Sequence, residues 1–225
     1  MEDLSKFLPK RRPSKVRLKG RYATLKSMDW DTHGQALSHH ITGPQTADLW
    51  TFVPIGPFDD IMGLRNVMTY VAEQRQWETL VILSKTKGEA LGTASYMRLR
   101  PEHGSAEVGC VIFGEALQKT REATEAMYLM SKHIFEDLGY RRYEWKCDNG
   151  NDASKRAAIR LGFQFEGVFR QDMVVKGKNR DTAWFSITDK DWPRVKAGFE
   201  RWLSESNFSE DGRQISSLAA CRDTG

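Results

Sequence analysis

The stretch from residue 106 to residue 126, AEVGCVIFGEALQKTREATEA, decides the fold. Its first part, residues 106–113, is a mostly apolar run of the length typical of a buried strand. From Thr120 onward, small and apolar residues recur at helical spacing, and threonine is a favoured residue at the start of a helix. The stretch therefore predicts a strand, a short loop and a helix in immediate succession.

The elements on either side of this unit predict a single domain built on one sheet. A first strand is predicted over residues 16–25, and two more at 79–84 and 90–99 form antiparallel hairpins with the strand of the unit. Further along, the sequence predicts a strand at 142–147, a helix at 152–161, two long strands and a last helix. Hairpins followed by one β-α-β unit indicate an α/β (α+β) fold with a mixed, mostly antiparallel sheet.

The composition excludes several classes of protein. The chain of 225 residues suits one domain, and 11% aromatic residues argue against intrinsic disorder. No apolar window approaches the roughly 18 residues needed to cross a membrane. The acidic start, Met1-Glu2-Asp3, is unlike a secretory signal, and the three cysteines follow no zinc-binding pattern. We therefore expect a soluble, cytoplasmic protein with no metal site.

A basic arm at the start of the chain supplies the excess behind the net charge of +4. Its cations are Lys6, Lys10, Arg11, Arg12, Lys15, Arg17, Lys19 and Arg21. Such an arm either contacts RNA or another phosphate-rich surface, or is a solvated lead-in to the first strand. We expect the arm at residues 1–15, one domain at 16–205 and a flexible C-terminal tail at 206–225.

The loop of the opening stretch has the features of an anion site. The first turn of a helix carries unpaired backbone N–H groups and a positive dipole end, so it binds phosphate without a particular side chain. Lys119 and Arg121 add positive charge, and Thr120 and Thr124 add hydroxyl donors. The alternative is an ordinary helix start that Thr120 caps.

A second junction from strand to helix lies at residues 147–154, with the sequence CDNGNDAS. Asn151 and Ser154 either cap the helix that follows or face the same crevice as the first loop. The segment LGFQFEG at 161–167 then ends that helix and begins another strand.

Together these motifs resemble the GNAT superfamily of acetyl-CoA-dependent N-acetyltransferases. The motifs that carry the resemblance are QKTREATEA at 118–126, NDAS at 151–154, LGFQFEG at 161–167, EVG at 107–109, GVFR at 167–170 and DTAWFS at 181–186. Within the superfamily the chain is most similar to the Rim-type branch, which acetylates amino groups of ribosomal proteins and of many small molecules. The resemblance covers roughly residues 16–205 and is strongest over 106–190.

The resemblance implies helices on both faces of the sheet and central strands that splay apart to admit acetyl-CoA. The pantetheine arm is then expected to pair with backbone near Val111 and Phe113, and the pyrophosphate to rest on residues 118–124. The residues implied to bind the cofactor are Val111, Ile112, Phe113, Gln118, Lys119, Thr120, Arg121, Glu122, Ala123, Thr124, Asn151 and Ser154. The family usually has glycine where this chain has Arg121, whose side chain is long enough to swing over the phosphates.

The resemblance also implies direct transfer in a ternary complex, with Ser154 at the family position of the acid that protonates the departing thiolate. Cys110 and Cys147 are expected to be small buried residues rather than nucleophiles, because neither has an evident histidine partner.

Glu107 is the candidate general base, acting directly or through water. The alternative for Glu107 is a structural carboxylate bonded to backbone or to an arginine. Asp148 and His133 are further candidates for the base, although a surface or packing role suits His133 equally.

The acceptor is expected to meet the variable segments, which include an aromatic loop with Trp50, Phe52 and Phe58. These rings either suit an apolar or planar acceptor or form a lid packed on the core.

The leading function is acetyl transfer to a primary amine of a small molecule or an amino-acid-like acceptor. The alternatives are N-terminal acetylation of a protein such as a ribosomal protein, with the arm docked on RNA, and a CoA-binding module without catalysis. Either a monomer or a homodimer is compatible with the sequence, and no membrane partner is expected.

Overall fold

The computed structural model describes residues 3–223. Its strands are β1 Arg17–Lys19, β2 Ala23–Ser27, β3 Glu78–Ser84, β4 Ala90–Arg100, β5 Ser105–Phe113, β6 Arg142–Asp148, β7 Gln164–Val175 and β8 Lys178–Thr188. Its α-helices are α1 Trp30–Ile41, α2 Ile61–Arg75, α3 Arg121–Lys132, α4 Asp152–Leu161, α5 Trp192–Leu203 and α6 Leu218–Asp223. Short 3-10 turns lie at Pro44–Trp50, Pro101–His103 and Glu205–Asn207, and a π-helical turn at His133–Asp137 extends α3.

Capping side chains set the start of each helix that positions the site. Asp29 and Asp60 accept backbone N–H bonds at the starts of α1 and α2, and Thr120 and Asn151 do so for α3 and α4. Gly162 ends α4 in the left-handed conformation that glycine adopts at low cost. These residues are visible in the sequence, and α4 spans the predicted residues 152–161.

The eight strands form one sheet in the order β1-β2-β3-β4-β5-β6-β8-β7. Neighbouring strands are antiparallel except for β5 and β6, which are parallel because α3 connects them as a crossover. The predicted mixed, mostly antiparallel sheet is confirmed.

A bulge in β5 separates this strand from β6 halfway along its length. The register between β4 and β5 shifts after Gly109, and Cys110 adopts a left-handed conformation with a φ of 47°. A bulge of this kind bends the strand that contains it. The parallel ladder between β5 and β6 accordingly stops at the pair of Val108 and Trp145, and beyond it the two strands no longer pair with each other. The splayed central strands implied by the resemblance are therefore confirmed.

Helices cover both faces of the sheet, as expected. On one face, Leu37 of α1 and Leu64 of α2 belong to an apolar cluster with Val81 of β3. On the other face, Met127 of α3 and Phe199 of α5 belong to the larger apolar cluster. No helix within residues 3–223 combines the length and the apolar character needed to cross a membrane.

The first strand, predicted as one piece, is two strands joined by a turn. Glu125, on α3, directs its buried carboxylate into this turn. The carboxylate accepts bonds of 2.7 Å from the backbone N–H groups of Arg21, Tyr22 and Ala23. Gly20 leaves the necessary room, since a Cβ there would lie 2.3 Å from the carboxyl carbon of Glu125. One continuous strand was the wrong prediction because a side chain distant in the sequence fixes the turn.

The basic arm lies across the end of the sheet where β5 and β6 begin. The backbone N–H of Lys10 donates to the carbonyl of Pro101 at 3.0 Å. The guanidinium of Arg141 lies 6.0 Å from the centre of the Phe7 ring. Pro101 precedes β5 and Arg141 precedes β6, so the arm packs at the paired end of these strands and away from the divergent end. Residues 1–2 of the arm lie outside the described residues.

The C-terminal segment, expected as a flexible tail at 206–225, is packed as far as it is described. Leu218 and Cys221 of α6 are buried and belong to the larger apolar cluster together with α5. A short bridge between Phe208 and Gln214 shapes the connection that leads to α6. As far as residue 223, the segment is therefore not the loose tail that was expected, because these apolar side chains complete the core. Residues 224–225 lie outside the described part.

Candidate active site

The backbone of β5 has unpaired groups where the strand leaves β6. The N–H of Gly114 donates to Leu91 of β4 at 2.9 Å, so alternate residues of β5 direct their backbone groups to β4. Val111 and Phe113 then direct theirs into the gap, the geometry expected for pairing with pantetheine. Ile112 does not fit its expected part in cofactor binding, because its backbone faces β4 and its side chain is buried under α1 and α2.

The loop before α3 presents a group of free backbone N–H donors. Within residues 3–223, no acceptor binds the backbone N–H groups of Lys119, Arg121 and Glu122. The N–H of Ala123 is capped by the Thr120 hydroxyl at 3.1 Å. Lys119 has a φ of 60° and is followed by the extended residue Thr120, so the chain turns sharply just before the start of α3. Thr120 therefore acts as the helix cap, and the free donors of its neighbours remain for a phosphate.

Two side chains hold this loop in place. The amide of Gln118 donates to the carbonyl of Phe113 at 2.9 Å, so one acceptor that faces the gap is already bonded. The carboxylate of Glu122 accepts the hydroxyl of Thr86, in the turn between β3 and β4, at 2.7 Å. The free N–H groups are therefore fixed in position without a ligand.

Other side chains of the loop do not face the free N–H groups as expected. The guanidinium of Arg121 lies 3.4 Å from the centre of the Phe208 ring, so it stacks on the C-terminal segment instead of swinging over a phosphate. Thr124 is buried, and its hydroxyl accepts a bond from Arg160 at 3.2 Å. Lys119 remains exposed and is the side chain available to an anion.

Ser154, the candidate acid, lies in the first turn of α4. The side chain of Asn151 caps this helix by accepting the backbone N–H of Ser154 at 3.0 Å. The Ser154 hydroxyl accepts the indole N–H of Trp145 at 3.0 Å. Trp145 belongs to the last pair between β5 and β6, so this bond holds the hydroxyl where the strands diverge. An indole only donates, and Ser154 therefore keeps its own proton for donation.

The two cysteines on β5 and β6 are held as protonated thiols. Burial raises the pKa of Cys110 to about 12. Burial also raises the pKa of Cys147, and the nearby Ser154 hydroxyl lowers it by less. Because the thiolate is the nucleophilic form, neither cysteine is suited to accept an acetyl group at neutral pH.

Glu107, the candidate base, is a buried carboxylate on β5. It forms an ion pair with Lys146 at 2.8 Å and lies 3.5 Å from Arg98. Burial raises the pKa of Glu107 above its ordinary value, although Lys146 and Arg98 act in the opposite direction. One carboxylate oxygen leans along β5 to within 3.2 Å of the position that a Cβ on Gly109 would take. The carboxylate is therefore ion-paired and also lies beside the start of the gap.

The other candidates for the base have different partners. Asp148 accepts the backbone N–H of Gly150 at 2.7 Å and so shapes the loop before α4. His133 bonds to Asp137 at 2.8 Å in the π-helical turn, at the end of α3 remote from the phosphate loop. Within residues 3–223, no group of three or more His, Cys, Asp and Glu side chains gathers as a metal site.

The residues of the aromatic loop differ in burial, so some form a lid on the core and one is exposed where it could contact an acceptor. Trp50 and Phe58 are buried and pack edge to face with ring centres 4.8 Å apart, which makes them part of a lid on the core. Phe52 is exposed over 42% of its surface. Lys176, at the tip of the β7–β8 hairpin, donates to the carbonyl of Trp50 at 2.8 Å. The hairpin therefore joins this loop above the divergent end of the sheet.

The structure contains a charged cavity, on the sheet face of Glu144, that was not predicted from the sequence. Its volume is about 680 Å³, and Arg98, Arg100 and Glu144 are among its lining residues. Arg142 donates to Glu144 at 2.8 Å and to Glu166 at 2.7 Å. The signal was present in β6, where charged and apolar residues alternate over RYEWKCD, because alternate residues of a strand share a face.

Comparisons with known proteins agree with this geometry. The chain matches the family model described as an acetyltransferase (GNAT) domain over residues 35–164, more than half of its length. It is 36% identical to a GCN5-related N-acetyltransferase from Brucella melitensis, with a TM-score of 0.93 over 98% of this chain and 100% of that one. It is 25% identical over 172 residues to the uncharacterized N-acetyltransferase p20 of Bacillus licheniformis, covering 75% of this chain and 94% of that protein. It is also 29% identical over 106 residues to the ribosomal-protein-serine acetyltransferase of Escherichia coli (strain K12), covering 47% of this chain and 56% of that protein.

The chain therefore belongs to the GNAT family of acetyltransferases. The resemblance to this superfamily is confirmed, and proteins named as ribosomal-protein acetyltransferases are among the relatives. Because the matched proteins are N-acetyltransferases, the protein is an acyltransferase, and the alternative of a CoA-binding module without catalysis is set aside.

Proposed function

We propose that this enzyme transfers an acetyl group from acetyl-CoA to a primary amine of a small molecule or an amino-acid-like acceptor, by direct transfer in a ternary complex. The observation that carries the proposal is the gap between β5 and β6, with the Ser154 hydroxyl held at the point of divergence by Trp145. The candidate base, Glu107, lies on β5 beside that point.

The residues around the gap fit acetyl-CoA. The free N–H groups of Lys119, Arg121 and Glu122 suit the charge of a pyrophosphate. The backbone groups of Val111 and the backbone N–H of Phe113 suit the amides of pantetheine, as in the addition of a strand to a sheet edge, while the Phe113 carbonyl is already bonded to Gln118. Bound acetyl-CoA would supply the activated thioester that the acceptor amine attacks.

The side chains of the chain divide the proton transfers between them. Ser154 donates its proton to the departing sulfur, and the N–H of Val111 polarises the carbonyl from the side of β5. Glu107 accepts the proton that the amine loses, directly or through water. An α-amine has a pKa near 8 and a lysine amine one near 10.4, so an α-amine is neutral more often and needs less help from the base. Burial raises the pKa of both cysteines, which supports direct transfer over an acetylated cysteine intermediate.

Acetyl-CoA consumption tests the proposal with a panel of primary amines, free amino acids and short peptides. At least one small amine is expected to release free thiol and give its N-acetyl product, which mass spectrometry identifies. The matched control is the same amine already acetylated, which should release no thiol. A panel in which only peptides react contradicts the small-molecule acceptor, and a panel without turnover contradicts the proposed transfer as a whole.

The sequence relation to a protein named ribosomal-protein-serine acetyltransferase favours a second candidate, N-terminal acetylation of a protein. In that case peptides with an N-terminal serine would react far better than free serine. The basic arm packs through Lys10 at the paired end of the sheet, so it does not line the acceptor entrance, and in this candidate its cations dock on RNA. Removing residues 1–15, the whole basic arm, should then weaken acetylation of ribosomal proteins but not of short peptides. If neither form acetylates ribosomal N-termini, the second candidate fails.

A further inference from the structure

An arginine buried on β8 has no partner in the described structure. Arg180 is 9% exposed, yet its Nε makes no hydrogen bond and no carboxylate pairs with it within residues 3–223. The other charged residues buried to this degree have partners. Glu125 accepts backbone N–H groups, Glu144 accepts from Arg100 at 2.7 Å, and Arg222 donates to a carbonyl at 3.0 Å.

Two further polar groups without partners lie on the same strand face as Arg180. They are the hydroxyl of Thr182 and the indole N–H of Trp184. Residues two apart on a strand share a face, so the three groups form a row with steps of about 7 Å. A row of buried, unbonded polar groups is uncommon in a folded protein and calls for a ligand or another explanation.

The row begins beside the candidate base. Trp184 is paired with Lys146 of β6, and the Lys146 ammonium lies 4.7 Å from the centre of the Trp184 ring. The same ammonium forms the 2.8 Å ion pair with Glu107. Thr182 is paired with Asp148, the last residue of β6, and Arg180 lies beyond it. The row therefore runs from Glu107 past the end of β6, on the sheet face of Glu107.

The neighbouring carboxylates of Asp148 and Asp181 are occupied. Asp148 accepts the backbone N–H of Gly150 at 2.7 Å, and Asp181 accepts that of Gln171 at 2.8 Å. Neither forms an ion pair with Arg180, whose cation therefore remains without a counter-charge from the described residues. The Nε of Arg180 is buried without an acceptor, which is unfavourable, and an anionic ligand that bonds the guanidinium would remove that cost.

We propose that the acceptor amine carries an anionic group, a carboxylate or a phosphate, that Arg180 binds while the amine lies at Glu107. This inference rests on the proposed acetyl transfer. An arginine binds either anion through parallel N–H bonds. Trp184 and Thr182 supply polar contacts along the intervening part of the acceptor. Four strand residues span about 13 Å, so the anion is separated from the amine by several bonds and is not the carboxylate of an α-amino acid.

A series of ω-amino carboxylates with increasing numbers of methylenes tests this arrangement, with each compound paired with its carboxamide. The ratio of kcat/KM between acid and amide should rise with length and reach about 30-fold for extended spacers long enough to span about 13 Å, roughly nine or more methylenes. Arg180→Gln should reduce that ratio to near unity while the amides react as before. Arg180→Lys should retain part of it. Lys178→Gln, an exposed residue on the same strand, is the matched control and should leave the ratio unchanged. ω-Aminoalkyl phosphates, run in parallel, show whether carboxylate or phosphate is preferred.

Equal rates for acids and amides in the unaltered enzyme would overturn the proposal, as would a preference that survives Arg180→Gln. Unchanged turnover of the amides shows that the variants are folded. If no amine consumes acetyl-CoA, the proposed transfer fails. The anion site is then tested separately, by measuring whether the same acids raise the temperature of thermal unfolding. Protection that Arg180→Gln abolishes supports the site, and absence of protection in the unaltered enzyme overturns it.

Discussion

Glu107 and Glu125 are both almost fully buried, at 4% and 5% exposure, but their surroundings differ. The Glu125 carboxylate is bonded to three backbone N–H groups of the turn between β1 and β2. Glu107 pairs with two side-chain cations, Lys146 at 2.8 Å and Arg98 at 3.5 Å, and lies where the sheet opens. The contrast teaches that burial alone does not identify a reactive carboxylate. A carboxylate saturated by fixed backbone donors supports the fold, and one paired with a side chain beside a gap is available for proton transfer.

Replacing Glu107 with glutamine sharpens this comparison most, because it removes the proposed base while keeping the shape of the side chain. The turnover number should fall about 10³-fold, or ~4 kcal/mol of transition-state stabilisation, while the affinity for acetyl-CoA stays the same. Steady-state kinetics with an accepted amine measures the fall, and equilibrium binding measures the affinity. Full turnover in the variant would assign Glu107 to a structural role alone.

Replacing Glu125 with glutamine should have the opposite profile. An amide group cannot satisfy the three N–H donors as a carboxylate does, so the free energy of unfolding should fall by about 3 kcal/mol. Activity per folded molecule should be unchanged, because the Glu125 carboxylate bonds only the turn between β1 and β2. Chemical denaturation followed by fluorescence gives the first quantity. A variant that is fully stable but inactive would reverse the roles assigned to the two glutamates.

Replacing Lys146 with methionine tests the electrostatic part of the comparison. Burial raises the pKa of Glu107 and Lys146 lowers it, so loss of the ammonium raises the pKa further. A base must be ionised, so activity is lost as the pH falls through its pKa. The acidic limb of the profile of kcat/KM against pH should therefore move to higher pH in the variant.

The matched control for this profile is Lys155→Met. Lys155 pairs with the exposed Asp152 at 2.9 Å and has no contact with Glu107. The acidic limb of the pH profile of Lys155→Met should coincide with that of the unaltered enzyme. A limb that stays in place after Lys146→Met would show that another group is the base.

Much of the fold was predictable from the sequence because its signals are local. Asp29 and Asn151 cap helices within three residues of themselves, and Gly162 ends α4 at its own position. The split of the first strand was not predictable, because it depends on Glu125, a residue about a hundred positions away.

The candidate site shows the same division. Ser154 and Asn151 stand in a recognisable motif beside a predicted strand, so their place at the start of α4 was predictable, and their roles stay predictions. The stacking of Arg121 on Phe208 and the isolation of Arg180 depend on contacts between distant segments, which no local pattern records. The position of Ile112 could not be assigned either, because the bulge at Cys110 decides which residues of β5 face the gap.

The central claim is that acetyl transfer takes place where β5 and β6 diverge, with Ser154 as the acid. The turnover number of Ser154→Ala with an accepted amine tests it most directly, with the affinity for acetyl-CoA measured on the same preparation. A loss of about 100-fold or more at unchanged affinity is the predicted result, since the alanine variant lacks only the proton donor. Unchanged turnover would contradict the account.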